Sequence, residues 1–221
     1  MIQKSIGILF LCSSLWLQGK FTPQEGAKEA GECGKIVAGS IAAACIYGIL
    51  NDQITVRVCP EYFTKGFHEK MVNRMPEGWI KSTLSTTKSH TILGLIWGVI
   101  ATWWMGAALS LPVVIGARAP VINAPQLKME DLIKPTGFAL AFMGASSLAA
   151  GMIGYHKGAD EDVQNYFKFA AQGVPEGSMQ YFIADAYAHH AAYSSGVIAT
   201  AGLIVWIMYE RCKRNLLKKS T

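Results

Sequence analysis

The sequence predicts an all-α integral membrane protein in which four helices form a bundle. Hydrophobic residues make up 51% of the 221 residues and charged residues only 16%, whereas soluble domains usually carry about 25% charged residues. Four apolar segments each approach the ~20 residues that a helix needs to cross a bilayer. Small residues one turn apart, such as Gly94 and Gly98, are typical of membrane helices that pack closely.

The first of the four segments has the shortest run of uncharged residues. Ile36 to Leu50 contains no charged residue, and Asp52 follows after Asn51. We therefore expect this helix to continue beyond the lipid as a polar extension. The predicted spans are 36–56, 91–117, 136–155 and 191–209.

The residues before the first span contain a second hydrophobic stretch. Lys4 and the apolar run to Leu17 resemble a signal peptide, but no clear small-x-small cleavage site follows. A short leader and an upstream start codon are the alternatives. Residues 19–34 are predicted to be a flexible connector. This divides the chain into a leader and linker (1–35), a four-span domain (36–210) and a basic cytoplasmic tail (211–221).

Basic residues predict the orientation of the bundle. A cluster of Lys and Arg beside the end of a span is normally retained in the cytoplasm, and five such residues follow the fourth span. With four spans, segments 51–90 and 156–190 would then lie outside, with Cys59 outside and Cys212 inside. Six basic residues between 57 and 90 oppose this orientation.

A short internal repeat suggests that the bundle is built from two duplicated helical hairpins. Gly-Val-Ile-Ala-Thr occurs at 98–102 and again at 196–200. His90 precedes the first copy, and His189 and His190 precede the second. A five-residue match can also arise by chance. A true duplication would bring equivalent polar groups together at one end of a pseudo-symmetric bundle.

Acidic and histidine residues near the span ends predict a polar cap on the extracytoplasmic side. Carboxylates and imidazoles bind divalent metal ions and also transfer protons. Asp185 and His189 are one helical turn apart and share a face, which suits a carboxylate that orients a histidine but also simply satisfies a histidine at a membrane boundary. The candidate metal ligands are Asp52, Glu61, His90, Asp185, His189 and His190.

A structural polar cluster is predicted directly after the first apolar segment. Its members follow one another at helical spacings and could share neighbouring stripes of one helix. A partly buried charge network between Asp52 and Arg57 would clamp the first span to the segment that follows it. The predicted members are Asp52, Gln53, Arg57 and Glu61.

The same region resembles a family of uncharacterised bacterial integral membrane proteins. The resemblance lies in Tyr47-Gly48, in Asp52-Gln53-x-Thr-x-Arg-x-x-x-Glu-Tyr-Phe-Thr64 and in the run WGVIATWW from Trp97 to Trp104, and it covers roughly residues 36–210. It implies a multi-pass protein of the bacterial inner membrane, and the family brings no established activity. Members often have histidine where this chain has Asn51, which argues against a metal ligand at that position.

Several classes of function are excluded by missing motifs. The sequence has no Gly-rich phosphate loop, no H-E-x-x-H, no G-x-S-x-G and no E-x-x-H pair. Its net charge of +5 is spread over loops and tail, unlike that of a nucleic-acid reader.

Two hypotheses about function remain, and whether the protein is an enzyme stays open. In the first, a non-enzymatic membrane protein uses its polar cap to stabilise the bundle or to bind a membrane-protein partner or a second copy of itself. In the second, the acidic and histidine residues at the outer span ends form a metal- or proton-handling site, whose cofactor would be a divalent metal ion.

Overall fold

The architecture is a bundle of four long helices joined by short ones. In this computed structural model, residues 22–119 and 124–220 are described, and they contain helices but no strand. The helices are α1 (Pro23–Val58), α2 (Pro60–Thr64), α3 (Gly66–Arg74), α4 (Trp79–Thr86), α5 (His90–Arg118), α6 (Met129–Lys157), α7 (Glu161–Phe167) and α8 (Met179–Lys219), with a 3₁₀ turn at Glu176–Ser178. The predicted all-α four-helix bundle is confirmed.

Each of the four long helices contains one of the four predicted spans. α1, α5, α6 and α8 are each long and apolar enough to cross a membrane. Many of their large apolar side chains, among them Leu50, Phe138 and Val205, are exposed on the outside of the bundle. The helices are therefore compatible with a multi-pass membrane protein whose apolar surface contacts lipid.

Helix α1 begins about three turns before the predicted span. The Thr22 backbone N–H donates to the Glu25 carboxylate at 2.8 Å, and the Glu25 N–H donates to the Thr22 hydroxyl at 3.3 Å. This capping box starts the helix at Pro23. The flexible connector predicted for 19–34 is therefore wrong from Pro23 onward. Residues 19–21 and the predicted leader lie outside the described residues.

The long helices pack mainly as two antiparallel pairs, α1 with α5 and α6 with α8. Glycines permit the close approach of the first pair, as the sequence predicts. A Cβ atom on Gly98 would lie 2.5 Å from the backbone nitrogen of Ile49, and one on Gly94 would lie 3.0 Å from the backbone oxygen of Asp52. Two pairs suit a duplicated hairpin, but the duplication itself stays a prediction.

The segments 59–89 and 158–178, which we call the cap, lie together at one end of the bundle. The Gly66 N–H donates to the Gln172 carbonyl at 3.1 Å, and the Phe67 N–H donates to the Ala170 carbonyl at 3.2 Å. Gly66 has a φ of +55°, and a side chain there would collide with the Ala170 carbonyl. The contact between the two segments therefore depends on a glycine.

Two arginines hold the opposite end of the bundle together. The fully buried Arg211 donates hydrogen bonds of 2.6 to 3.3 Å to the carbonyls of Gly116, Ala119, Ala124 and Pro125. Arg118 pairs with the Glu29 carboxylate and donates to the Leu127 carbonyl at 3.0 Å. Arg211 is the first residue of the predicted basic cytoplasmic tail, 211–221, and it lies within α8, which continues to Lys219. The division of the chain into domains stays a prediction.

Candidate functional site

A buried carboxylate and a histidine, which we call the pair, join α1 to α8 beside the cap. Asp52 is only 3% exposed, and its Oδ1 lies 3.1 Å from Nε2 of His189. The Asn51 side-chain amide donates to the same oxygen at 3.3 Å. The sequence analysis predicted that Asp52 and His189 belong to one site, and the structure brings these two candidates into direct contact.

The second ring nitrogen of His189 determines where the protons lie. Nδ1 is 2.8 Å from the backbone carbonyl oxygen of Asp185, and a carbonyl can only accept a hydrogen bond, so Nδ1 carries a hydrogen. If His189 is neutral, Nε2 is bare and Asp52 must be protonated to bond it. If His189 is charged, Nε2–H donates to an ionised Asp52. The contact is therefore a hydrogen bond only when one proton lies between Nε2 and Oδ1.

Aromatic rings from the cap cover the pair. The Tyr62 ring stacks on His189 with centroids 4.7 Å apart, and Phe63 meets His189 edge-on at 5.7 Å. His68 lies against Tyr62 at 4.8 Å and against Trp97 at 4.7 Å. Burial raises the pKa of the Tyr62 hydroxyl. The cap therefore encloses His189 in a surrounding of low polarity.

His68 is held neutral by its place in the cap. Burial, and then the charge of His189, lower the pKa of His68 to about 3. The folded protein therefore resists protonation at a pH at which the unfolded chain, with an ordinary pKa of 6.5, is protonated. A proton that binds only the unfolded state lowers the stability of the fold.

We expect the protein to lose stability as the pH falls below 6.5, by up to about 1.4 kcal/mol for each pH unit from this one group. Thermal unfolding of the purified protein in detergent, at pH 7 and at pH 5, measures the effect. His68→Phe should reduce the difference between the two melting temperatures, whereas His90→Phe, at an exposed histidine, should preserve it. An unchanged difference in His68→Phe would contradict the assignment.

An elongated cavity of about 120 Å³ ends at the pair. All four long helices line it, and on α1 it extends from Ser40 to Asp52, ~18 Å along the helix at 1.5 Å per residue. Its wall is mostly Ala, Gly, Leu and Met, with the hydroxyl groups of Ser40, Thr136 and Tyr193 among them. The volume suffices for several water molecules, which need polar partners such as those at the Asp52 end.

Asp185 lines a different opening, between α1 and α6, which we call the groove. The groove has a volume of about 550 Å³, and Tyr47, Asn51 and Ser147 line it as well. The Ser147 hydroxyl donates to the Asn51 side-chain oxygen at 2.8 Å. Because the Asn51 amide also donates to Asp52, the groove and the pair are neighbours.

No hydrogen bond, ion pair or ring contact joins Glu61, His90 or His190 to the pair within the part of the chain that the structure describes. His90 is exposed at the first residue of α5, and His190 is exposed on α8. The Glu61 carboxylate lies 3.5 Å from the Cys59 thiol. Within residues 22–119 and 124–220, no group of three or more His, Cys, Asp or Glu is arranged to hold a metal ion. A divalent metal ion at the six candidates stays a prediction, which elemental analysis of the purified protein would test.

The predicted polar cluster is divided between two faces of α1. Asp52 contacts His189, whereas the exposed Arg57 donates to the Gln53 side chain at 2.8 Å and to the Thr91 hydroxyl at 3.1 Å. Gln53 in turn donates to the Thr91 carbonyl at 2.9 Å. Gln53 and Arg57 therefore fasten α1 to the start of α5. The charge network expected between Asp52 and Arg57 does not form among the described residues, because residues five apart on a helix point about 140° away from each other.

The cover that Tyr62, Phe63 and His68 form over the pair was not predicted from the sequence, although His68 belongs to the segment, 51–90, that was expected on the same side as the site. Tyr62, Phe63 and His68 follow the first span closely, but no spacing rule connects them to His189. The available signal was Pro60, which is typical of the first turn of a new helix. Helix α1 ends at Val58, Cys59 is extended and α2 starts at Pro60. This change of direction places Tyr62 against the bundle.

No protein-family model matches the chain, and neither the curated proteins nor the solved structures include a match to it.

Proposed function

We propose that this chain is a multi-pass membrane protein that binds and releases a proton at the Asp52–His189 pair. The observation that carries this proposal is the contact between His189 Nδ1 and the Asp185 carbonyl. That contact commits one ring nitrogen, so the 3.1 Å contact between Nε2 and Oδ1 of Asp52 is a hydrogen bond only with a proton between the two atoms. The four apolar helices of membrane-spanning length are compatible with the membrane setting.

Release of that proton would change how α1 and α8 contact each other. A neutral His189 beside an ionised Asp52 has one N–H for two acceptors, the Asp185 carbonyl and the Asp52 carboxylate. One of the two hydrogen bonds must then break, at a cost of about 1.5 to 3 kcal/mol where a charged group is involved. The proton therefore acts as a link between the two helices, and its loss favours an arrangement in which they separate at this point.

The cap covers the pair, and this supports the proposal. Its aromatic rings pack on His189, and the hydrogen bonds from Gly66 and Phe67 to the segment 170–172 hold its two parts together. We propose that the cap stabilises the bundle on the extracytoplasmic side of a bacterial inner membrane. In support, Arg118, Lys128 and the basic residues of the α8 C-terminus lie at the opposite end.

Cysteine labelling in intact cells tests this orientation. Cys59 is buried, at 1% exposure, and burial raises the pKa of its thiol to about 12, so it is a poor reporter. Asp160→Cys, at an exposed cap position, should react with a membrane-impermeant maleimide in intact cells. Cys212, exposed at the other end, should react only after lysis. The reverse pattern would place the cap in the cytoplasm.

Infrared difference spectroscopy of the protein in lipid, recorded over the pH range in which it stays folded, tests the proton site. We expect a pH-dependent signal that combines carboxyl and imidazole bands, and we expect it to disappear in Asp52→Asn and in His189→Gln. His190→Gln alters the neighbouring exposed histidine and should leave the signal in place. Asp185→Asn tests whether the other buried carboxylate contributes to the signal.

Gel filtration of each variant establishes that the fold is intact before the spectra are compared. A signal that survives unchanged in folded Asp52→Asn and His189→Gln would overturn the proposal. Removal of the signal by Asp185→Asn alone would assign the proton to Asp185 and would also overturn it.

A further inference from the structure

The groove between α1 and α6 has the dimensions of a binding site for an elongated small molecule. Its volume of about 550 Å³ falls within the ~300 to 1,000 Å³ that is usual for such sites. On α1 its lining residues run from Ile46 to Val58, ~18 Å along the helix. That length is more than half of the ~30 Å hydrocarbon core of a bilayer.

The walls of the groove are apolar and face outward from the bundle. Ile46, Leu50 and Ile54 on α1, and Leu148 and Met152 on α6, line the groove and are exposed. Both helices have the length and hydropathy of membrane spans, so the groove would open sideways into lipid. A molecule that fills it would enter from the bilayer.

The floor of the groove contains an incomplete polar group. Asp185 is 1% exposed, and its Oδ2 has no hydrogen-bond partner within the described part of the chain. A polar atom buried without a partner destabilises the structure that contains it. Asp185 lines the groove, so a small turn of its carboxyl would bring Oδ2 to a ligand that supplies a hydrogen-bonding group, and the apolar walls would bind the hydrocarbon part of that ligand.

The groove also has a polarity along its length that suits an amphiphile. α1 and α6 end at the cap and α8 begins there, so Tyr155, Tyr181 and Asp185 lie toward the cap end. Ile46 and Leu140 lie at the end of the groove that is farther from the cap. A polar head would therefore lie near the membrane surface, and an apolar chain would point toward the bilayer centre.

We infer that the groove binds a lipid alcohol, with its chain along α1 and α6 and its hydroxyl hydrogen-bonded to Asp185. A hydroxyl group both donates and accepts, so it can bond Oδ2 whether the carboxyl is ionised or protonated. A phosphate head would be repelled by an ionised carboxylate. An ammonium head would lose far more hydration energy than a hydroxyl on entering an apolar groove.

The inference goes beyond the proposed proton site and does not require it, because the pair uses the Asp185 backbone and not its side chain. Photo-crosslinking of the full chain in liposomes tests it. The probes are hexadecanol with a diazirine on its chain and the matching diazirine hexadecane, which lacks the hydroxyl. Labelled peptides are located by mass spectrometry.

We expect the alcohol probe to label α1 and α6 at the groove, saturably and in competition with unlabelled hexadecanol, and the hydrocarbon probe to label there at least tenfold less. Asp185→Leu should reduce labelling by the alcohol to the level of the hydrocarbon. Because Asp185→Leu changes a buried residue, a second variant on α6 tests the groove independently. Gly144 lines the groove, and a Cβ atom there would meet nothing within 4 Å, so Gly144→Phe should fill the groove and abolish labelling.

Gly137→Phe is the matched control, since Gly137 lies on the same helix outside the groove and is equally open. It should label like the parent. Equal labelling by both probes would overturn the inference, since the groove would then accept any hydrocarbon. Undiminished labelling in folded Asp185→Leu, or in Gly144→Phe, would also overturn it. None of these outcomes depends on the infrared signal of the pair, so the two proposals can fail separately.

Discussion

Replacement of Gly98 by alanine should strongly destabilise the bundle, because α1 and α5 meet at this residue through their backbones. The added methyl carbon would lie 2.5 and 2.6 Å from backbone atoms of Ile49 and 2.7 Å from the carbonyl carbon of Gly48. Backbone atoms cannot rotate aside as a side chain can, so the helices must separate. Overpacking of this kind costs about 1 to 3 kcal/mol and occasionally more, and we expect the upper part of that range.

Thermal unfolding in detergent measures this effect, and Gly202→Ala provides the matched control. A Cβ atom at Gly202, on the exposed face of α8, would meet nothing within 4 Å. Alanine there should leave stability unchanged or raise it, since alanine is favoured over glycine within a helix by about 1 kcal/mol. If Gly98→Ala melts like the parent, α1 and α5 are not in backbone contact at this position.

Arg211→Met should produce the second large loss of stability. The guanidinium group provides the donors for four backbone carbonyls at the end opposite the cap. Gly116 belongs to the last turn of α5, where carbonyls have no partner within the helix. Methionine fills a similar space without any donor, and the loss should be on the order of 3 kcal/mol, the value of one or two hydrogen bonds from a charged donor.

Two further variants are the controls for Arg211→Met. Lys213→Met removes a cation whose side chain is 54% exposed and should change the melting temperature little. Arg211→Lys keeps the charge but loses the planar fork that serves several acceptors, so its stability should lie between those of the parent and Arg211→Met. Equal melting of Arg211→Met and Lys213→Met would contradict the role assigned to Arg211.

The sequence was sufficient to predict the four long helices, because an apolar run of about twenty residues has few alternatives to a membrane helix. It was also sufficient for the close approach at Gly94 and Gly98, since small residues one turn apart are a packing signal. The start of α1 was missed although its signal was present. Thr22-Pro-Gln-Glu25 is a capping box, but the glycines that follow suggested a connector.

The site was harder to predict than the fold. Asp52 and His189 were both among the candidates because ionisable residues near span ends are costly and need partners. Which partner each one has depends on helix rotation, and this places Asp52 against α8 and Arg57 against the start of α5. The cover formed by Tyr62 and His68 depends on the interruption of the helix at Cys59. No periodic pattern within a single helix contains that information.

The Asn51 side chain connects the two proposed sites through hydrogen bonds at both ends of its amide. Its oxygen accepts from Ser147 on α6, and its nitrogen donates to Asp52, so one amide connects the α6 wall of the groove to the acid of the pair. Two binding events joined by such a bridge are thermodynamically reciprocal: a lipid that shifts the proton affinity by some factor has its own affinity shifted by the same factor. Ser147→Ala would cut the bridge and make proton occupancy and lipid occupancy independent of each other.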